Sequence, residues 1–324
     1  MFETASALRG RVSLVERGFA HVLLENEERN ATYRPGDLPV TGDWVLLDPS
    51  GFRIETIEPR RTQLVRKKAG RETAPQTLAA NFDVLFIVTG LDNDYNTRRL
   101  ERYLIAGWES GARPVIVLNK ADLHADPPAA LRETRGVACG VDVLAVSAHT
   151  GEGFQQFTPY LRDGATVAFV GSSGVGKSTL ANRLLNREWQ RTAAVRTGDD
   201  RGRHTTTGRH LVAAPEGWML IDTPGVREFQ PWSDGEGLDA AFQDVSELAA
   251  QCRFRDCRHE GEPGCAVRDS LDDERLASYR KLRREIAYLE RSVDKRAALE
   301  EKRRWKAIHK SMRNLPKDGF GSVG

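Results

Sequence analysis

The chain has 324 residues, of which 40% are hydrophobic and 29% are charged, and its formal net charge is +2. This length predicts two or three domains of roughly 100–200 residues each, and the composition excludes fibrous, low-complexity and intrinsically disordered proteins. The most apolar stretch, 83–91, is far shorter than the roughly 20 residues that span a bilayer, and the N-terminus lacks the pattern of a signal peptide. We therefore expect a cytoplasmic protein with no membrane partner.

Short β-strands are predicted in the N-terminal part of the chain, at 11–15, 20–26, 42–48 and 52–58. Turn-forming sequences that contain Pro and Gly separate them. Four or five short strands in this length fit a small β-barrel, for which an OB-type barrel is favoured and an SH3-like barrel is the alternative. We expect this domain to cover 1–75. A basic stretch at 66–71 is predicted to be a linker or loop that could contact phosphate.

Apolar strands alternate with helices from about residue 81. Strands are predicted at 83–89, 114–118, 142–146, 166–170, 210–213 and 218–221, and helices at 97–110, 153–161 and 177–185. This alternation predicts an α/β domain over 76–233, with a parallel sheet covered by helices on both faces.

A third domain, 234–324, is predicted to be mainly helical. Its long helical run, 273–312, has apolar residues at spacings of three and four, so one face should pack on another element. Residues 273–315 contain 14 Lys/Arg and 7 Asp/Glu, a local net charge of +7. This charge favours a polyanionic partner, nucleic acid above all, although a solvated charged helix is the alternative.

A phosphate-binding loop follows the predicted strand 166–170. Residues 171–178 match the pattern G-x-x-x-x-G-K-[S/T] in full and lead directly into a predicted helix. The glycines let successive backbone N–H groups turn towards phosphates, at the positive end of the helix dipole. In this motif Lys177 binds the outer phosphates and Ser178 binds Mg²⁺.

Two further loops indicate that the base is guanine. Asn119 and Asp122 belong to an Asn-Lys-x-Asp sequence at the end of a predicted strand. A carboxylate at Asp122 can accept from both N1–H and the exocyclic amine of guanine, donors that adenine does not present together. Ser147 and Ala148 follow the next strand, where a backbone N–H could meet the guanine O6. These loops favour GTP over ATP.

Asp222 follows the predicted strand 218–221, where it could hold Mg²⁺ through water, and Gly225 could offer its N–H to the γ-phosphate. The stretch 201–207 lies where a switch loop is expected. One of Thr205, Thr206 and Thr207 could complete the Mg²⁺ shell, and the sequence leaves open which one.

The order of these elements differs from that of a Ras-like chain, because the base-reading loops precede the phosphate loop. This arrangement is a circular permutation, which fold contacts tolerate when the old termini are joined. The predicted helix 153–161 would make the join. In the permuted order the GTPase domain ends just after the Asp222 loop, and the C-terminal domain follows directly. We therefore expect the nucleotide state to be transmitted to the C-terminal domain.

The residue expected to orient the attacking water is missing from its usual place. Val226 stands where Ras-like enzymes carry a Gln after the D-x-x-G sequence, and valine cannot polarise water. Intrinsic hydrolysis should therefore be slow. His204 is the best candidate to orient or activate the water once a partner positions it, the alternative being a surface residue without a catalytic role.

Cys252, Cys257, His259 and Cys265 form a second kind of site. Three thiolates and one imidazole within a short segment are the ligand set of a closed tetrahedral zinc site with a structural role. Chance clustering of free cysteines is the alternative.

The motif order, the preceding barrel and the Cys-Cys-His-Cys spacing together resemble the bacterial RsgA family of circularly permuted GTPases over nearly the whole chain. The resemblance implies an OB-fold RNA-binding domain, a permuted GTPase domain and a zinc-binding domain. It also implies a role in late maturation of the small (30S) ribosomal subunit, with GTP hydrolysed to GDP when that subunit stimulates the enzyme, and 16S rRNA as the contact surface. We expect a monomer with one structural Zn²⁺ and with Mg²⁺ accompanying GTP.

The motifs and the resemblance together assign a catalytic role to His204 and Lys177 and metal binding to the Cys₃His set. They assign nucleotide binding to Asn119, Lys120, Asp122, Ser147, Ala148, Gly171, Ser172, Ser173, Gly174, Val175, Gly176, Lys177, Ser178, Thr179, Thr206, Asp222 and Gly225. Two other functions remain open: a nucleotide-gated rRNA-binding assembly factor in which turnover is incidental, and a P-loop ATPase or small-molecule kinase, against which Asp122 argues.

Overall fold

The computed structural model describes residues 8–68, 74–92, 95–187, 209–223, 232 and 235–313, with side chains described as far as residue 293 and at 295. Within these ranges the chain forms an N-terminal antiparallel barrel, a central mixed sheet with helices on both faces, and a C-terminal group of helices. No helix in the described ranges combines the length and the apolar character that crossing a membrane requires.

The N-terminal barrel has five strands in the order β3-β2-β1-β4-β5. They are β1 (Leu8–Val15), β2 (Phe19–Leu23), β3 (Glu28–Thr32), β4 (Trp44–Leu47) and β5 (Ile54–Ile57). A parallel bridge between Thr32 and Arg53 brings the two edge strands together. Alternate side chains, among them Val12, Val22 and Val45, fill the interior and are fully buried. This five-stranded, partly open arrangement confirms the predicted OB-type barrel.

A two-stranded hairpin follows the barrel, formed by β6 (Gln63–Lys67) and β7 (Pro75–Ala80). Leu64 and Leu78 are buried in the same core cluster as the central sheet, so the hairpin packs with that sheet. The expected domain boundary at 75/76 falls within this hairpin. The basic stretch starts as strand β6, and its remainder, 69–71, lies outside the described residues.

The central sheet has the order β10-β9-β8-β11-β13-β12. Its strands are β8 (Val84–Gly90), β9 (Arg113–Asn119), β10 (Asp142–Ala145), β11 (Thr166–Val170), β12 (His210–Ala213) and β13 (Met219–Asp222). Five strands are parallel, as predicted, but β12 is antiparallel to β13. The reason is the short connection, in which Ala214 N–H bonds the Trp218 carbonyl, because a tight turn can join only antiparallel strands.

Three helices cover this sheet: α1 (Thr97–Glu109), α2 (Pro127–Val137) and α3 (Lys177–Leu184). Buried clusters lie on both faces. The helix predicted at 153–161 is wrong, because only a 3₁₀ turn, Phe154–Phe157, forms there. Gly153, just before it, adopts a left-handed φ of 78°, and Pro159 after it has no N–H to continue a helix.

The C-terminal part contains α4 (Glu236–Ala241), α5 (Gln243–Ala249), α6 (Ala266–Ser270) and α7 (Asp273–Arg313). The last of these is 41 residues long, in agreement with the predicted run. Leu276, Tyr279, Leu282 and Ile286 are buried on one of its faces, as their spacing predicts. This face packs in the same core cluster as α1.

Candidate nucleotide site and metal centre

The predicted nucleotide motifs meet at the carboxyl edge of the central sheet. Asn119 is the last residue of β9, the phosphate loop begins directly after β11, and Asp222 ends β13. Residues 147–151, which we call the base loop, follow β10. Because parallel strands point their carboxyl ends the same way, four segments far apart in sequence converge on one edge.

Backbone conformation in the phosphate loop depends on glycine. Gly171 packs so close to β8 that a Cβ atom would lie 2.2 Å from the Val88 carbonyl oxygen. Gly176 has a φ of 94° immediately before α3 begins at Lys177. Ser173 is exposed, whereas Lys177 is 6% exposed and its Nζ donates to the carbonyls of Gly171 (2.8 Å) and Ser172 (2.7 Å). The loop thus places a buried cation within its own ring of backbone groups.

Asn119 connects the phosphate loop to the base loop. Its Nδ2 donates to the Val175 carbonyl at 2.8 Å, and its Oδ1 accepts from the Ala148 N–H at 2.9 Å. Asn119 is 1% exposed. Both of its side-chain amide atoms are therefore buried, where loss of either hydrogen bond would reduce the stability of the fold. Among the N–H groups of the base loop, one of which is predicted to meet the guanine O6, that of Ala148 is therefore engaged with Asn119.

Lys120 contacts a residue that no motif identified. Its Nζ donates to the Asp92 carboxylate at 2.5 Å, and its backbone has a left-handed φ of 62°. Asp92 follows the carboxyl end of β8, and that position is the sequence signal that could have indicated it. Asp122 lies in a 3₁₀ turn, Ala121–Leu123, and is exposed.

Asp222 is 3% exposed at the end of β13, and the Thr223 hydroxyl beside it donates to the Phe169 carbonyl of β11. Ser178 and Thr179 lie in the first turn of α3 and are half-buried. Several predicted residues lie outside the described residues: His204, Thr205, Thr206, Thr207, Gly225 and Val226.

Cys252, Cys257, His259 and Cys265 come together in the C-terminal part, and their ligand atoms all lie within 4.8 Å of one another. His259 Nδ1 is 3.7 Å from the Cys252 Sγ and 3.5 Å from the Cys265 Sγ. Burial lowers the pKa of His259, which favours the neutral imidazole that binds metals. Three thiols and one imidazole at these separations fit a single tetrahedral ion, so the cluster could hold a metal.

A family model described as RsgA GTPase matches residues 57–232. The small ribosomal subunit biogenesis GTPase RsgA of Opitutus terrae is 47% identical over 294 residues, covering 85% of this chain and 80% of that protein. RsgA 2 of Lactiplantibacillus plantarum is 45% identical, with coverages of 86% and 83%.

Two solved structures have the same fold. The crystal structure of YjeQ from Thermotoga maritima has a TM-score of 0.65 at 25% identity and covers 87% of this chain and 99% of its own. YloQ, described as a circularly permuted GTPase, has a TM-score of 0.62 at 23% identity, with coverages of 89% and 98%. The motif order, the fold and these similarities agree: the chain belongs to the RsgA family of circularly permuted GTPases, which are GTP hydrolases.

Proposed function

We propose that this protein acts in late maturation of the small (30S) ribosomal subunit, where it binds GTP and 16S rRNA. Contact with the subunit stimulates hydrolysis of GTP to GDP and phosphate, and hydrolysis favours release. The observation that carries this proposal is the Asn119 junction, which joins a complete phosphate loop to a base loop at one sheet edge. The names of the relatives supply the ribosomal context.

In this proposal the base is held by the Asn-Lys-x-Asp loop and the base loop, and the phosphates by the phosphate loop. Asp122 accepts from the guanine N1–H and amine, while Lys177 moves from its loop carbonyls to the outer phosphates. Mg²⁺, when bound, neutralises phosphate charge, and Ser178, Thr206 and Asp222 are its proposed protein contacts. Gly225 offers its N–H to the γ-phosphate.

Hydrolysis itself needs a positioned water. Val226 leaves the chain without the usual water-orienting amide, so the free protein turns over slowly. We assign His204 to orient the water when the small subunit holds the switch segment in place. The slow basal rate then restricts GTP hydrolysis to protein that is bound to the small subunit.

The Cys₃His cluster holds one structural Zn²⁺ in this proposal, because no position in a four-ligand tetrahedral set remains for water. The barrel and the basic helix α7 provide the surfaces for 16S rRNA. The protein acts as a monomer in the cytoplasm.

The test is the steady-state rate of GTP hydrolysis with and without isolated small subunits at fixed salt. Stimulation on the order of 10²- to 10⁴-fold, the contribution of a positioned acid–base side chain, is the expected result. Isolated large subunits are the control. Tight GTP binding without any stimulation by small subunits would contradict the activation mechanism.

A second candidate is a nucleotide-gated rRNA-binding factor in which turnover is incidental, and Val226 is the observation that favours it. His204→Ala separates the two. We expect this variant to keep its GTP affinity and to lose both stimulated turnover and function in subunit maturation. A variant that lost turnover but still supported maturation would favour the binding factor.

A further inference from the structure

Arg183, on the helix that follows the phosphate loop, binds three successive carbonyl oxygens of the base loop. Its Nη1 donates to Ala148 at 3.3 Å and to His149 at 3.2 Å, and its Nη2 donates to Thr150 at 2.9 Å. The guanidinium also lies 5.4 Å from the ring centroid of Phe154, at cation–π distance. No sequence motif includes this arginine.

The base loop is shaped to receive this guanidinium. Ser147 folds the loop back on itself, because its Oγ accepts from the Thr150 N–H at 3.0 Å and its carbonyl accepts from the Gly151 N–H at 2.8 Å. Gly151 has a φ of 92°, and a Cβ there would lie 2.1 Å from the Arg183 Nη2. Glycine therefore provides both the left-handed turn and the space for the arginine.

Peptide geometry converts these contacts into a direction for the amides. In a trans peptide a carbonyl and the next N–H point in opposite directions. Because the Ala148 carbonyl points to Arg183, the N–H of His149 points away from it. The N–H groups of Thr150 and Gly151 bond Ser147 in the same way, which agrees with their preceding carbonyls facing the arginine.

We infer that Arg183 is a positioning residue for guanine recognition, which holds the base loop so that the His149 N–H faces O6 of the base. The inference rests on the proposed binding of guanine at this edge. A guanidinium is suited to the task, since it stays charged and donates in several fixed directions at once. Arg183 also connects the base loop to the phosphate loop, because both Arg183 and Lys177 of the phosphate loop lie on α3.

The experiment measures the dissociation constants of GDP and of 2-aminopurine riboside diphosphate, which keeps the exocyclic amine but has neither O6 nor N1–H. The lost N1–H contact with Asp122 is the same for the wild type and the variants, so the comparison between proteins reports on O6. For Arg183→Ala we expect the affinity for GDP to fall about tenfold, the size of one lost net hydrogen bond, and the affinity for the analogue to stay within about twofold. A residue that only supported α3 would weaken both nucleotides equally, and that result would overturn the inference.

Arg187→Ala is the matched control. Arg187 follows α3 and its Nη2 donates to the Ala213 carbonyl at 3.2 Å, away from the base loop, so this variant should bind both nucleotides as the wild type does. Gly151→Ala disrupts the same contact from the base loop, because the added methyl group would clash with the Arg183 guanidinium. It should reproduce the selective loss of GDP affinity, so the inference can still be tested if Arg183→Ala folds poorly. Unchanged GDP affinity in both variants would also overturn the inference.

A different outcome would contradict the proposed guanine site itself. That outcome is equal affinity of the wild type for GDP, the analogue and ADP.

Discussion

Tyr160 shows how one side chain fixes the irregular segment between β10 and β11. Its hydroxyl donates to the Asp142 carboxylate at 2.8 Å, and its ring packs edge-on against Phe86 with centroids 5.6 Å apart. The Arg113 guanidinium binds the same carboxylate at 2.5 Å. Burial, together with the hydrogen bond to Asp142, raises the pKa of Tyr160 to about 12. The neutral phenol is thus the form that the fold prefers.

Tyr160→Phe should lower the free energy of unfolding by about 1 kcal/mol at pH 8, because one hydrogen bond is lost and the ring packing is kept. Since the pKa of Tyr160 is raised above its ordinary value of 10.0, its contribution is full below pH 10 and is lost as the pH rises towards about 12. Denaturant unfolding of both proteins at pH 8 and pH 11 measures this. A difference between them that stayed constant over this pH range would contradict the assignment.

At the scale of elements, α4 packs against α1 more closely than most side chains permit. A Cβ at Gly237 would lie 2.6 Å from the Ile105 carbonyl oxygen and 2.6 Å from the Glu109 side chain. The Gly237 N–H also donates to the Glu109 carboxylate at 2.9 Å. This contact connects the helices of the C-terminal part to the central domain.

Gly237→Ala should therefore destabilise the protein by about 1–3 kcal/mol, because the helices must separate to admit a methyl group. Gly136→Ala is the matched control: Gly136 lies in α2, and a Cβ there would meet nothing within 4 Å. It should be neutral or stabilising by about 0.5–1 kcal/mol. Urea unfolding of the two variants measures both values, and equal stabilities would contradict the close approach of α4 to α1.

The Cys₃His cluster is a second local structure whose contribution to stability can be tested. Cys265 is 1% exposed and precedes α6, where its Sγ accepts from the Arg268 N–H at 3.4 Å. Under the proposal of one structural zinc per chain, Cys265→Ser should lower the zinc content towards none and reduce the thermal stability of the C-terminal part, since metal binding stabilises such loops.

The control for this variant is Cys139→Ser, because Cys139 is half-buried and lies outside the cluster. It should keep a full complement of zinc. Metal content by mass spectrometry and thermal unfolding before and after a chelator measure the effect. A Cys265→Ser protein with undiminished zinc would show that the cluster is not the metal site.

At the scale of the whole molecule, Arg11 joins the barrel to the central domain. It is 5% exposed in β1, and its guanidinium donates to the Thr166 hydroxyl at 2.7 Å and to the Asn81 carbonyl at 2.5 Å. Burial lowers the pKa of Arg11 to about 10. Thr166 begins β11, so the barrel is attached at the sheet edge opposite the nucleotide motifs.

Arg11→Met should cost about 2–3 kcal/mol, because buried acceptors on the central domain lose their donor while side-chain length is kept. It should also make the barrel a separate unfolding unit. Arg9→Met is the control on the same strand, since Arg9 pairs with Glu58 and lies over the Trp44 ring at the surface, and we expect a smaller loss and no separate unfolding of the barrel. Limited proteolysis and calorimetry measure both, and a single unchanged transition in Arg11→Met would refute this role.

Much of the site could be predicted from the sequence because its residues are encoded locally. The glycines and Lys177 of the phosphate loop, the Asn119 loop and the cysteine spacing each need only a few adjacent residues to define them. The position of Asp92 after β8 was a signal for a site residue but not for its contact with Lys120, and nothing local indicated Arg183, because each acts on a loop that is distant in sequence. Their roles exist only once β8, α3 and the base loop lie side by side.

The barrel, the alternating α/β pattern, the permuted motif order and the long helix α7 could all be predicted from the amino-acid sequence, because periodicity and turn residues are local properties. Three features became evident only in the folded protein: β12 runs antiparallel, the hairpin β6–β7 packs with the central sheet, and the 153–161 segment contains a 3₁₀ turn. The contacts by which Arg11 and Arg183 hold distant segments together also exist only in the folded protein. These outcomes depend on which surfaces meet after folding, and burial and hydrogen bonding between remote segments leave no periodic signal in the chain.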